Sequence, residues 1–420
     1  MAAKANLSET VPDQSAPLDD FEIPGYTFDQ FRKAIPRHCF DKSAIRGSVY
    51  VLRSLFGFLF LHYVFHRLVT PSMVPSALVS GLLWQLYGFM QGFFMTSWWV
   101  LAHECGHGNF SRSRSLSDFV GFIIHSILLV PYFSWQISHA AHHRATSHME
   151  RDQNYVPPRR DEYAKKLGVD KEELEHLAAE APALTALVLV VRQLAALPVY
   201  LWTNSTSGDY WRRKKDTERG RKAWFRGLNH FDPRSPLFEG KDKWKIIASD
   251  LGVMLMALVL VMMARKYGAR SVAFEYFVPW LWSNHWQITI AYLNHTDPSI
   301  PHYESSEWTY VRGAATTMDR NAGIIGHYLF HDITHTHVLH HHLSSIPWYH
   351  AAEATEAVKG VMGKSYRRTE YVGLGDFIRD MWRVRRVCQW VEGRVNHGEL
   401  DGIKSEGVLW YRRRAGLLDE

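Results

Sequence analysis

Eight histidines fall in three short windows of this 420-residue chain, and they are the residues best placed to do chemistry. His103 and His107 stand four apart in HECGH; His139, His142 and His143 form HAAHH; His337, His340 and His341 form HVLHH. On a helix, residues i and i+4 share a face, so His103 and His107 can hold one ion. The i, i+3, i+4 spacing of the other windows gathers imidazoles on one face in the same way. The chain has 24 His, and one third of them lie in these windows, which argues for a joint metal site over scattered surface histidines. HECGH also satisfies H-E-x-x-H, in which a zinc peptidase uses the glutamate, here Glu104, as general base. Such a site takes three protein ligands and a water, and eight imidazoles exceed the capacity of one tetrahedral ion. Gly106 also weakens the helix that motif needs. The surplus calls for two ions, and imidazole suits iron. Iron adds redox change and oxygen activation, which an unactivated alkyl C–H bond requires because no general base removes such a proton.

The elements that must position these windows are long and apolar. A first stretch, about 49–68, has its core from Val49 to Val64, interrupted only by Arg53 and His62. Ala77 to Leu101 follows, 25 residues without a charge, ample for a bilayer core of roughly 30 Å. Phe119 to Phe133 is too short to span and suits an interfacial helix. Ala181 to Trp202 is apolar apart from Arg192 and contains Pro198, and Ile246 to Ala264 and Val272 to Leu293 form a closely connected pair. Histidine windows that share one site must emerge on one side of the membrane, so an even number of crossings separates them. Of the three candidates between them, Ala181 to Trp202 is the weakest, because Arg192 is costly at mid-bilayer and Pro198 breaks the hydrogen-bond ladder. The expected fold is therefore an all-α integral membrane protein of four transmembrane helices in two hairpins, spanning about 49–68, 77–101, 246–264 and 272–293. Interfacial helices and a cytosolic helical cap bearing the histidines complete it. Twelve Lys or Arg between 208 and 245 put that loop in the cytosol, although Arg265, Lys266 and Arg270 then fall in the luminal connector. Residues 1–23 are expected to form a disordered tail, 24–363 the membrane domain and 364–420 a C-terminal segment, with both termini cytosolic.

Composition agrees with a membrane protein. Net charge is +6 and aromatic content 14%, with 16 Trp, as expected where rings line bilayer interfaces. Apolar segments of spanning length make the basic excess a cytosolic loop bias rather than a sign of nucleic acid. Cys39, Cys105 and Cys388 are widely separated and form no CxxC pair, which argues against a disulfide framework and fits a reducing compartment. The first twenty residues have no apolar core, so no signal peptide is expected.

The order HxxxH, HxxHH, HxxHH, with two hairpins between, resembles the membrane fatty acyl desaturase and hydroxylase superfamily, and the likeness runs from Pro24 to Gly363. Several strings resemble fungal Δ12 (oleoyl) desaturases: AIPRHCF at 34–40, WWVLAHECGH at 98–107, LLVPYFSWQISHAAHHRATSHMERDQNYVP at 128–157, NHFDPRSPLFE at 229–239 and HTDPSIPHY at 295–303. The last is FHDITHTHVLHHHLSSIPWYHAAEATEAVKGVMG at 330–363. The resemblance implies a di-iron centre, with O2 as co-substrate, that inserts a double bond at carbon 12 of an oleoyl chain carried on phospholipid or CoA. Cytochrome b5 and its reductase would supply electrons at the endoplasmic reticulum membrane, and no HPGG haem motif is fused to this chain. An oleate 12-hydroxylase, a Δ15 (ω3) desaturase or a bifunctional Δ12/Δ15 enzyme would use the same histidines. Carried over residue by residue, the eight box histidines bind the irons. A ninth ligand in this fold lies just after the fourth span, where His295 stands, with His331 in reserve. His342, where plant relatives carry Leu, is read as a bystander. Asp152 and Asp319 are candidates either to orient ligand imidazoles or to serve a solvated or structural role. Arg212, Arg213, Lys214 and Lys215 offer a basic face to an acidic partner or to anionic lipid.

Overall fold

The computed structural model describes residues 21–70, 72–170, 173–174, 182–214, 216, 227–370, 374–393 and 407–411. The expected tail lies outside them up to position 20, as do Lys215 and Ala181. Serine and threonine caps start most of the early helices. Thr27 caps α1 (Phe28–Ala34) through a capping box with Gln30, where side-chain oxygens satisfy otherwise orphaned amides. A single-turn 3-10 helix, Arg37–Phe40, follows. Ser43 caps α2 (Ala44–Leu68), Ser76 caps α3 (Ala77–Gly106) and Ser113 caps α4 (Arg114–Ile127). Pro131 precedes α5 (Tyr132–His143), and α4 and α5 meet at a bend of 109°. The stretch expected as one interfacial helix is thus two helices with a break at Leu129, whose φ is +58°.

Beyond α6 (Arg160–Leu167) comes α7 (Pro182–Thr203), which carries Pro198 inside it without ending there. The expectation that Pro198 breaks this helix is corrected: proline removes one amide and crowds one carbonyl, and neighbouring helices can hold the segment helical all the same. After α8 (Asp209–Lys214), α9 (Lys243–Tyr267) runs to Gly268. A turn at Ala269–Val272 and a π-helical segment, Ala273–Phe277, lead into α10 (Val278–His295).

By length and hydropathy, Ala44–Leu68, Thr185–Thr203 and Gly240–Tyr267 can each cross a membrane, and the bent pair makes a fourth if it counts as one span. The 30 residues of α3 reach about 45 Å at 1.5 Å each, but its Gln and Gly residues dilute its hydropathy. On α2 and α9 the apolar side chains Leu52, Phe56, Phe60, Leu251, Met254 and Leu258 point outward, each more than half exposed. So much outward apolar surface suits lipid rather than water. Helices α3 and α10 form the centre. A Cβ on Gly88 would come within 2.4 Å of Val278, and one on Gly92 within 2.4 Å of Trp282; this small-xxx-small face lets the two backbones close.

The histidine-bearing end is built from shorter pieces. Strand β1 (His302–Tyr303) precedes α11 (Tyr310–Ala315), β2 (Asp319–Asn321), α12 (Gly323–Tyr328), α13 (His337–His342) and α14 (Trp348–Met362). Next come β3 (Arg368–Glu370), α15 (Leu374–Val387), β4 (Val391–Gly393) and β5 (Val408–Tyr411). The fold is therefore mostly but not wholly helical: β2 pairs in parallel with β3, and β1, β5 and β4 form a small antiparallel sheet. Both sheets stitch the C-terminal segment to the loops around the histidines. Phe377, Met381, Val384 and Val387 share a buried cluster with Met149 and Leu293.

Candidate metal centre

His103 lies in the last turn of α3 with His107 as its C-cap; α5 ends on His139, His142 and His143, α10 ends on His295, and α13 carries His337, His340 and His341. Their helices converge, and the nine imidazoles meet in two adjoining groups. His103, His107, His139, His143 and His340 each offer a nitrogen within 4.8 Å of the others, and so do His142, His295 and His341. His337 joins the second group, its Nε2 2.9 Å from that of His295. The groups share a wall where His143 stacks on His341, ring centres 4.2 Å apart.

The division follows helical geometry. In α5 the i, i+4 pair His139 and His143 faces the first group while His142 turns to the second. In α13 the i, i+4 pair His337 and His341 faces the second while His340 turns to the first. The expectation that each triplet gathers on one face is thus sharpened: i and i+4 stay together, and the residue at i+3 lies rotated enough to reach the other group.

Behind the rings, acceptors hold the Nδ1–H side. His142 Nδ1 donates to Asp152 Oδ1 at 2.7 Å, His103 Nδ1 to Glu104 Oε1 at 3.1 Å, and His337 Nδ1 to the Ile333 carbonyl at 3.3 Å. Thr146 donates its hydroxyl to the His142 carbonyl at 3.0 Å, which leaves its oxygen to accept from His341 Nδ1 at 3.0 Å. Fixing Nδ1 as the donor turns the Nε2 lone pair inward. Glu104 is itself held by Asn109, whose amide donates to Oε2 at 2.8 Å, and it lies 3.7 Å from His340 Nδ1. Burial pushes its carboxyl up to about 7. Sequence reasoning saw Glu104 only as a peptidase base. Thr146 and Asn109 were missed, and no local signal marks them.

These residues fit metal ions. His107, His340 and His341 each keep a buried Nε2 without a partner, and buried polar atoms are rarely left so in a native protein. Burial first, then neighbouring imidazoles, holds His139, His143, His295, His340 and His341 well below the usual histidine range. They are therefore neutral, with lone pairs available to a cation.

The other candidates sort by contact. His331 lies outside both groups: Arg53 donates to its Nδ1 at 3.2 Å, and its Nε2 donates to Ser97 at 2.7 Å. The reserve assignment to His331 is thereby corrected, since both its nitrogens are engaged elsewhere. His342 donates Nδ1–H to the Val338 carbonyl, accepts from the Tyr26 hydroxyl, each at 2.8 Å, and stacks on Phe31. Asp152 orients His142, whereas Asp319 touches no imidazole among the described residues: it accepts from the Val338 amide and the Tyr366 hydroxyl, each at 2.8 Å, and so caps α13. Arg212 pairs with Asp209 at 3.2 Å and Arg213 lies 3.9 Å from Glu150.

Apolar helices of spanning length, together with two polyhistidine groups able to hold metal, describe a mostly helical membrane protein with a candidate metal centre. A family model described as fatty acid desaturase matches residues 80–372. The chain is 45% identical to the oleate hydroxylase FAH12 of Claviceps purpurea over 94% of its own length and 83% of that protein's. It is 37% identical to a Delta(12) fatty acid desaturase of Mortierella isabellina over 91% of both. It is also 37% identical to an omega-6 fatty acid desaturase, endoplasmic reticulum isozyme 2, of Glycine max over 94% and 93%. The chain belongs to the fatty acid desaturase family, as an oxidoreductase acting on fatty acyl chains in membranes.

Proposed function

We propose that this protein oxidises an oleoyl chain at carbon 12, desaturating it to a linoleoyl chain. The observation that carries the reading is the pair of histidine groups, five and four imidazoles, in a chain similar end to end to Δ12 desaturases. Two iron ions held by His103, His107, His139, His143 and His340 on one side and His142, His295, His337 and His341 on the other would supply, with O2, the oxidising power that C–H cleavage needs. The balance is one O2, two electrons and two protons, with two hydrogens from the acyl chain, giving one double bond and two waters. Asp152, Glu104, Thr146 and the Ile333 carbonyl hold ligand rings in their tautomers throughout. Glu104 contacts His103 on the Nδ1 side, away from the nitrogens that converge, which disfavours the general-base role of a zinc peptidase.

Cytochrome b5 and its reductase are the proposed electron donors, at the endoplasmic reticulum membrane, with the histidine-bearing end and both termini cytosolic. We keep four spans, about 49–68, 77–101, 246–264 and 272–293, although by length and hydropathy α7 can cross a membrane while α3 and α10 fall short. Polar contacts of α7 support placing it outside the four. Its Gln193 accepts from Thr289, and its Tyr200 donates to Asn154 and contacts Ser138 of α5, all polar anchors near the histidine windows. The second reading, 12-hydroxylation of oleate, is favoured by the 45% identity to the Claviceps hydroxylase. The two outcomes diverge after the first hydrogen leaves. Expression in yeast lacking linoleate, with fatty acid profiling, tests them. Linoleate is expected; ricinoleate identifies the hydroxylase and α-linolenate a Δ15 activity, and none of the three from an iron-loaded protein overturns the reading.

A further inference from the structure

We infer that a second cation site, of zinc type, lies between the Arg37–Phe40 turn and the first turn of α14, formed by His38, Cys39, His350 and Glu353. Each offers one ligand atom, and the four atoms lie within 4.8 Å of one another. Two rigid elements contribute two donors apiece: consecutive residues of the 3-10 helix, and an i, i+3 pair on one face of α14. His38 Nε2 stands 2.9 Å from Glu353 Oε1 and 3.7 Å from Cys39 Sγ. The His350 ring centre is 5.7 Å from that of His38.

One thiolate, one carboxylate and two imidazoles neutralise a dication and match the donor number of a closed tetrahedral zinc centre. The sulfur selects against magnesium and calcium, which take oxygen ligands. Cys39 is buried and its thiol is pushed up to about 11, by burial first and then by the Glu353 carboxylate. It is therefore protonated without a metal, and binding releases that proton to solvent. His38 and Glu353 are each 54% exposed, which opens an entry path. Arg46 donates to His350 Nε2 at 3.2 Å, so an ion either takes Nδ1 of that ring or displaces a surface guanidinium. None of the nine clustered histidines takes part. An ion here would fasten the segment after α1 to α14, the helix that follows the third histidine window.

Cobalt(II) reads the site in the full-length protein, purified in detergent and freed of loosely bound metal. A thiolate-to-cobalt charge-transfer band can arise only where sulfur ligates, and the polyhistidine centre has none. The expected result is such a band in the wild type, displaced by one equivalent of zinc. Cys39→Ser should lose it, while Cys105→Ser and His142→Ala should keep it. No band in the wild type, or a band that survives Cys39→Ser, overturns the proposal. Should Cys39→Ser fail to fold, the surface variant Glu353→Ala decides: loss of one zinc per chain supports the site, and undiminished zinc content refutes it.

Discussion

His295 is the expected ninth ligand and His331 its reserve, and the two make different contacts. His295 Nε2 faces His337, while both His331 nitrogens are engaged by Arg53 and Ser97. His295→Ala should therefore lower iron content and abolish acyl oxidation, whereas His331→Ala should keep its iron and lose only thermal stability. Iron analysis of the two purified variants checks this, and equal iron loss in both contradicts it. Asp152 gives a second residue-scale test. It accepts from His142 at 2.7 Å while also receiving the Ser147 and Asn154 amides. Partners of this kind tune metal affinity by about 10–100-fold, so Asp152→Asn should weaken iron binding by that order in a chelator competition. The protein should stay folded, because asparagine preserves the shape.

Helix α13 is only six residues long, too short to persist on its own propensity, yet it carries three of the nine imidazoles. Asp319 secures its start by accepting the Val338 amide, and burial pushes that carboxyl from its ordinary 3.8 up to about 7. Since the folded value lies above the unfolded one, the native state binds the extra proton between them. That contribution is fully present below about pH 4 and is lost as pH rises through about 7. Wild-type melting temperature should thus carry a downward component across this window that Asp319→Asn flattens. Parallel pH titrations of thermal unfolding measure it, and identical slopes would refute the assignment.

Across the whole molecule, the C-terminal segment braces the metal centre. Arg320 is fully buried; it donates to the Leu293 carbonyl at 2.8 Å, to the Thr296 carbonyl at 3.3 Å and to Asp297 at 3.1 Å, and it pairs with Asp380 of α15. Arg383 ties Asp380 to Asp297 in turn. These bonds clamp the chain on either side of His295. Breaking a buried ion pair by removing one partner costs about 3–5 kcal/mol, so Arg320→Leu should destabilise the protein by that order and lower iron occupancy with it. Chemical unfolding together with iron analysis tests the coupling; full iron content in a destabilised Arg320→Leu protein would show that the clamp serves stability alone.

The three histidine windows, their helical spacing and the long apolar runs were legible in the sequence because each is a local pattern, repeated within a turn or a span. Those patterns pointed to a candidate polyhistidine metal site, a mostly helical membrane protein and the family. A register complete without His342 left that residue aside, and its ring contacts Val338, Tyr26 and Phe31. What the tertiary structure alone decided is everything that depends on distant segments meeting. The split of nine imidazoles into two groups needs the crossing of α3, α5, α10 and α13. Glu104 comes within 3.7 Å of His340 only when α13 meets α3, and Thr146 acquires its contact from His341, 195 positions away. Pro198 likewise looked like a helix breaker because the sequence shows the missing amide but not the neighbours against which α7 packs. The two small sheets were invisible because strands of two to four residues carry no period of their own and exist only by pairing with partners far along the chain.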